Sequence, residues 1–285
     1  CAKCKHSWIE KNTYKSSSIP LSITKLPLII LMAGSTCVLL AMGYRASFGL
    51  FLIPMITDLG WGRETFALAI ALQNLFWGIF QPFASAAAEK WGTGRIVAIG
   101  GVLYAFGLYL MGNSSNPSSF HLSAGLIIGM AQSGCALAVI LGAVARALPE
   151  KKRSWGLGII MAAGGVGQFT VVPLSQIFLD MFNWSNSLLI LAMSAILIIF
   201  CAIPLRNKIN QACDNQTNVS SEAISIGEAF KEAATHKGFW LLTAGFFVCG
   251  FHVAFIGIHL PAYLSDTGMP SSTGALALSM IGIFN

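Results

Sequence analysis

Ser85-Ala86-Ala87-Ala88-Glu89-Lys90-Trp91-Gly92-Thr93-Gly94-Arg95 divides two apolar runs, Thr65 to Ala88 and Gly94 to Met111. Each run approaches the roughly 20 residues a helix needs to cross the hydrocarbon core of a bilayer. At their junction stand an acid, Glu89, two bases, Lys90 and Arg95, a glycine suited to a turn and a tryptophan, the content of a short charged hairpin at a membrane surface. Outward from this hairpin the pattern repeats. Further runs extend from Pro27 to Met55, His121 to Leu148, Trp155 to Leu179, Ser185 to Leu205 and Phe239 to Leu264, and another opens near Gly274. The expected fold class is all-α, a polytopic membrane helical bundle.

Composition supports this reading. The 285 residues include only 17 Lys or Arg and 11 Asp or Glu, with 55% hydrophobic residues and a mean hydropathy of +0.71. A soluble domain is about a quarter charged, and a disordered chain lacks such apolar content. The 7 cysteines lie mostly inside apolar runs and lack the density of a disulfide scaffold. A net charge of +6 does not signal nucleic-acid binding, because the bases occur in small groups between the runs rather than on one face.

Those groups set the orientation. Cationic loops are retained on the cytoplasmic side. Lys3, Lys5, Lys11, Lys15 and Lys25 lie in the N-terminal tail and Lys90 and Arg95 between spans two and three. Arg146, Lys151, Lys152 and Arg153 follow span four, and Arg206, Lys208, Lys231 and Lys237 follow span six. The opposite loops hold only Arg63, and Arg45 alone lies inside a span. The N-terminus is therefore expected in the cytoplasm, in an inner or plasma membrane. Trp61, Trp91, Trp155, Trp184 and Trp240 fall at span ends, as an interfacial aromatic belt requires. The tail has no signal-peptide order. Asn215 and Asn218 begin glycosylation motifs on the cytoplasmic side, where they would stay unmodified, whereas Asn113 and Asn183 would face outward.

The expected organisation is a basic cytoplasmic tail at 1–26, a six-helix bundle at 27–205, a polar cytoplasmic linker at 206–237 and the start of a second bundle at 238–285. The linker includes a potential amphipathic helix from Glu222 to Ala234. Six spans, a linker and further spans is the layout of a transporter of two six-helix halves. Cys1 in place of Met, and an apolar run still open at Asn285, lead to the expectation of a fragment of a longer chain.

Polar groups inside spans are costly and mark function by default. Arg45, beside Tyr44 in the first span, costs about 2.5 to 3.5 kcal/mol on the insertion scale unless compensated. It is either an anion-binding or gating cation on a wet cavity, or a guanidinium that snorkels or pairs structurally. Gln73, Asn74, Trp77 and Gln81 share one helical stripe, which either lines a cavity or bonds neighbouring helices. Gln132 and Gln168 are weaker versions of that signal. His252 and His259, seven residues apart, offer either a proton-coupling pair or ordinary helix and interface contacts. No Asp or Glu lies deep in a complete span, which argues against carboxylate proton relays and intramembrane aspartyl catalysis. No His-Glu-x-x-His, phosphate loop or nucleophile elbow occurs, and Cys1 with Cys4 lacks a second ligand pair. No enzyme activity, cofactor or metal is expected. The glycines of the fifth span, with Pro173, suggest tight packing, a flexing helix, or both.

The hairpin resembles the signature of the major facilitator superfamily, Gly-x-Leu-Ala-Asp-Arg-x-Gly-Arg-Arg. Ser85 stands for the leading Gly, Glu89 for the Asp and Lys90 for the Arg, with Gly92 in register and Arg95 as the later base. Three further stretches resemble its oxalate/formate antiporter and monocarboxylate porter branch: Arg45 to Pro54 with Gly60-Trp61-Gly62-Arg63, Gln73 to Gly78 with Gln81-Pro82, and Gly250 to Phe255 with His259-Leu260-Pro261. The resemblance implies twelve spans, alternating access around a central site, and a gate at the hairpin in which Glu89 pairs with a base such as Arg146. It implies transport of a small organic anion, with Arg45, Tyr44, Gln73, Asn74, Trp77, Gln132, Gln168 and His252 at the substrate and protons or a counter-solute as coupled species. Gly125 stands where the superfamily often has an Arg, and the fifth span lacks the antiporter Gly-Pro pair, so the mode of coupling stays open. A transporter-like sensor that binds solute without moving it is the alternative.

Overall fold

A backbone surrounded by hydrocarbon must satisfy its N–H and C=O groups internally, and this chain does so through helices. The computed structural model describes residues 21–206 and 226–284. In chain order the helices are α1 (Leu21–Leu59), α2 (Arg63–Trp91), α3 (Thr93–Gly112), α4 (Pro117–Ala147, in segments), α5 (Glu150–Met181), α6 (Trp184–Ala202), α7 (Ile226–Thr235), α8 (Lys237–Asp266) and α9 (Ser271–Phe284). Seven of them, all but α7 and α9, are long and apolar enough to cross a membrane. The tail residues 1–20 and the linker residues 207–225, with Asn215, Asn218 and the start of the helix expected from Glu222, lie outside the described residues.

Helix α1 begins before Pro27 and continues past Met55, passing through Pro54 without a break. The larger difference from the sequence reading is α4, expected as one continuous span. Residues His121–Ile127 form a π-helical turn, and after Gly134 the helix stops. Ala136 is extended, at φ −64° and ψ 149°, before the helix resumes at Leu137. The physical reason is the contact with α3: Gly134 packs on the backbone of Gly100, whose Cβ position would lie 2.9 Å from Cys135 Sγ. Cys135 N–H still donates to Ala131 O at 3.1 Å, so the upper segment is closed before the bend.

Without a hydrophobic drive between helices in lipid, close backbone approach supplies much of the packing. Helix α1 crosses α5 at Gly43 and Gly167, where a Cβ on Gly43 would come 2.6 Å from Val171 Cβ and one on Gly167 2.7 Å from Leu39 Cα. Helix α3 packs along α6, and α2 against α4. The pair α8 and α9 docks on this six-helix group through α1 and α5. Both contacts are glycine on glycine: Gly49 meets the backbone of Gly257, and a Cβ on Gly165 would stand 2.5 Å from Gly282 O. Away from α1, the side chains of α8 are open to the surroundings, with Phe246 and Phe247 among the most exposed.

Two ends can be told apart by charge. Lys90, Arg95, Arg146, Lys151, Lys152, Arg153 and Arg206 are exposed at one end, here called the basic end. Trp91, Trp155 and Trp240 are exposed at that end as well. Trp184 corrects the belt reading: it is buried, and its Nε1 donates to Asp58 Oδ2 at 2.7 Å. Trp61, at the same opposite end, packs on Phe120 with ring centroids 5.5 Å apart.

Candidate functional site

Helices α1, α2, α4, α5, α8 and α9 enclose a cavity of about 730 Å³ between the six-helix group and the α8–α9 pair. Its wall is mostly apolar, with Met42, Phe48, Met161 and Phe169 among the larger side chains, and its polar groups are Arg45, Gln73, Asn74 and Gln168. That ratio, an apolar surround with a few placed polar groups, is typical of small-molecule sites.

Arg45 is held by α2. Its Nη2 donates to Asn74 Oδ1 at 3.1 Å, and its guanidinium carbon lies 4.8 Å from the Trp77 ring centroid. Asn74 is oriented in turn by Nδ2 donating to Ile70 O at 2.8 Å. Trp77 Nε1 donates to Gln81 Oε1 at 3.0 Å, and Gln81 Nε2 to Ser85 Oγ at 3.3 Å. The stripe read from the sequence is therefore a supporting rail: Asn74 and Trp77 position Arg45, and Gln81 fixes Trp77. A desolvated guanidinium on an aromatic face gains about 2 kcal/mol, which offsets part of its insertion cost. Among the described residues Arg45 has no carboxylate partner. With five N–H donors on the guanidinium and one committed to Asn74, it retains donors for a ligand.

Gln73 is 2% exposed, and among the described residues its Oε1 has no hydrogen-bond partner. Gln168 also lines the cavity, but its Nε2 donates to Leu278 O at 2.9 Å, linking α5 to α9.

Trp77, which holds Arg45, is not itself on the cavity wall, and three more expected members lie elsewhere. Tyr44 points away from the cavity: its hydroxyl is 2.8 Å from Ser194 Oγ on α6, and its ring packs on Tyr104. One residue along a helix turns a side chain by about 100°, so Tyr44 cannot share the face of Arg45. Gln132 is buried against α3, with Nε2 donating to Tyr104 Oη at 3.4 Å and Oε1 unpaired. His252 is exposed, donating from Nδ1 to Val248 O at 2.9 Å within its own helix. His259 packs on Phe255 at 4.9 Å between ring centroids, and neither histidine is on the cavity wall.

The hairpin gate also differs from the expectation. Glu89, Lys90 and Arg95 are exposed, and Lys90 lies 5.9 Å from the Trp91 ring centroid. Arg146 Nη2 donates to Thr93 Oγ1 at 3.1 Å instead of pairing with Glu89. Gly92 has φ 95° and caps α2 by donating to Ala88 O at 3.0 Å, a left-handed turn that favours glycine.

Closure is found at the opposite end. Arg63 and Asp266 form a bidentate pair, both N–O distances 2.7 Å, joining α2 to α8. It is the only ion pair among the described residues. Beside it Gln176 Nε2 donates to Ser271 Oγ at 3.1 Å, joining α5 to the start of α9. In the sequence Arg63 stood out as the one base in the outer loops and as the end of the Gly60-Trp61-Gly62-Arg63 stretch, with no partner indicated. Its partner is 203 residues away, and no local pattern announces such a pair.

Helices of membrane-spanning length surround a cavity that polar contacts close at one end, the build of a multi-pass membrane bundle. The chain belongs to the Major Facilitator Superfamily, whose sequence model matches residues 34–285. It is 26% identical over 222 residues to mouse monocarboxylate transporter 11, covering 76% of this chain and 46% of that protein. To rat monocarboxylate transporter 13 it is 25% identical over 253 residues, covering 86% and 55%. The chain thus spans about half the length of these curated relatives. Among solved structures, a bacterial homolog of the human lysosomal transporter Spinster, crystallised in an inward-facing and unoccupied conformation, superimposes with a TM-score of 0.70. The identity there is 16%, over 90% of this chain and 60% of that one, a likeness of fold.

Proposed function

We propose that this chain forms the first half and the opening of the second half of a secondary transporter that moves a small organic anion, a monocarboxylate in the first instance, by alternating access. The observation that carries the reading is Arg45, a guanidinium on the wall of an apolar cavity with no carboxylate partner among the described residues. An anion entering there supplies the missing charge, and the apolar wall accepts the rest of the solute. The names of the mouse and rat relatives support the same solute class. Protons or a counter-solute complete the cycle, and no metal or cofactor is needed for it.

In this reading the basic end and the N-terminus face the cytoplasm of an inner or plasma membrane. The halves touch at the Arg63–Asp266 end and enclose the cavity toward the basic end, which corresponds to an inward-facing state. Rocking would part the Arg63–Asp266 pair and bring the basic ends together. Hence Asp266→Arg, which sets like charges face to face, is expected to raise labelling of an Ala46→Cys thiol by impermeant reagents added outside. The exchange of both residues, Arg63→Asp with Asp266→Arg, is expected to return labelling to its original level. No response to either change would remove the pair from the gate.

Orientation has its own test. A cysteine at Lys151 is expected to react with an impermeant reagent only after cells are opened; reaction in intact cells would invert the topology. Counterflow of labelled carboxylate in proteoliposomes separates a carrier from a sensor that binds without moving its ligand.

A further inference from the structure

We infer that the seam between α3 and α6 is a docking site for one anionic phospholipid, its headgroup held by Arg95 and Arg206 and its acyl chains lying on the apolar stripe of α3 that starts at Arg95. The inference needs the helices to cross a bilayer and is independent of what the cavity carries.

The fold brings the two cations together. Gly94, at the start of α3, packs on the chain just past α6, where an added Cβ would stand 2.5 Å from Arg206 N. Arg95 follows directly. Two guanidinium side chains therefore leave neighbouring points of the backbone, and both residues are exposed. Among the described residues neither is paired with an acid, Glu89 of the same hairpin included, because the one ion pair there is Arg63 with Asp266. Adjacent like charges repel until an anion is shared between them. The guanidinium fork fits the oxygens of a phosphate.

The surface beside them fits the rest of a lipid. Ile99, Val102 and Phe106 on α3 are exposed, and offsets of 4, 7 and 11 from Arg95 put all four residues on one helical face. Phe200, in the last turn of α6, and Ile203, just after it, are exposed as well. Between the helices a Cβ on Gly101 would come 3.0 Å from Ile198 Cγ2, so the seam is closely packed beneath this surface. From Arg95 to Phe106 an α-helix rises about 16 Å, about half the hydrocarbon thickness of a bilayer and so the depth of one leaflet. Neither helix lines the cavity, and α8 with α9 docks through α1 and α5 instead. The stripe is left to the bilayer's own molecules, and two cations at its head select those with a negative headgroup, as basic pockets between membrane helices do.

The test uses the full-length protein in a nonionic detergent, titrated with phosphatidylglycerol or phosphatidylcholine of identical acyl chains, with bound lipid counted by native mass spectrometry. One phosphatidylglycerol is expected to bind about 30-fold more tightly than phosphatidylcholine, the worth of two surface cations. Arg95→Gln with Arg206→Gln is expected to remove that preference, and Arg95→Lys with Arg206→Lys to keep most of it. Lys151→Gln with Lys152→Gln takes the same charge from the same end away from the seam, and is expected to leave the preference unchanged. Glycerol 3-phosphate, a phosphate without chains, is expected not to displace the lipid at equal concentration. Phosphatidylglycerol with a photoactivatable acyl chain reads the position on the natural sequence, whether or not the variants fold; labels are expected on Ile99 to Phe106 and on Phe200 to Ile203. Equal binding of the two lipids, an equal loss in the 151 and 152 variant, displacement by glycerol 3-phosphate, or labels spread evenly over α2 and α5 each overturns the site.

Discussion

Arg45→Ala is expected to abolish measurable uptake while the protein still reaches the membrane. A carboxylate on a guanidinium shares charge-assisted hydrogen bonds, and their loss in a largely apolar cavity costs about 3 kcal/mol, a fall on the order of 100-fold in apparent affinity. The fold does not depend on the same group. Its one direct side-chain bond is to Asn74, whose own anchor at Ile70 O remains. Arg45→Lys is expected to fall between, because an ammonium keeps the charge and loses the planar fork. Initial rates in proteoliposomes, normalised to surface-exposed protein, are the measurement. Kinetics equal to those of the natural sequence would leave the site without its anion anchor.

The second large effect is on assembly. Gly167→Leu is expected to eliminate monodisperse protein from detergent extracts, and Gly167→Ala to lower its melting temperature by several degrees. The atoms in the way are backbone, with Leu39 Cα at 2.7 Å from the added carbon, and a helix axis cannot move aside as a side-chain tip can. Overpacking of this kind costs about 1 to 3 kcal/mol, occasionally more. Gly158, nine residues earlier on α5, meets nothing within 4 Å. Gly158→Ala is therefore expected to raise stability by up to about 1 kcal/mol, the helix-propensity difference. Fluorescence-detected size exclusion with a thermal ramp reads both changes. Equal responses at the two positions would mean that the α1–α5 crossing is not set by Gly43 and Gly167.

The placement of the helices was legible in one dimension, because span length and charge asymmetry follow from the bilayer rather than from tertiary detail. Arg45 was legible for the same reason: a cation in hydrocarbon is anomalous wherever it is found. The α2 stripe was half legible. Its spacing placed Gln73, Asn74, Trp77 and Gln81 together, but not the division by which Asn74, Trp77 and Gln81 bond within the chain while Gln73 is buried. Tyr44, Gln132 and His252 are polar or aromatic in the right spans and yet face other helices, since rotation about a helix axis depends on neighbours not yet known. The break in α4 has no proline to announce it and arises from Gly100 on α3. The Arg63–Asp266 contact required the fold to bring distant ends together.

Gly49 against Gly257 and Gly165 against Gly282 bring main chain to main chain between the two groups of helices, with the Gln168 side chain bonded across the second seam to Leu278 O. Interlocked leucines would have to unmesh and change rotamers at every stroke, whereas peptide planes can part and meet again with no internal coordinate to reset. For the proposed carrier this leaves the charged Arg63–Asp266 and amide Gln176–Ser271 contacts at the rim as the ones that rocking must break.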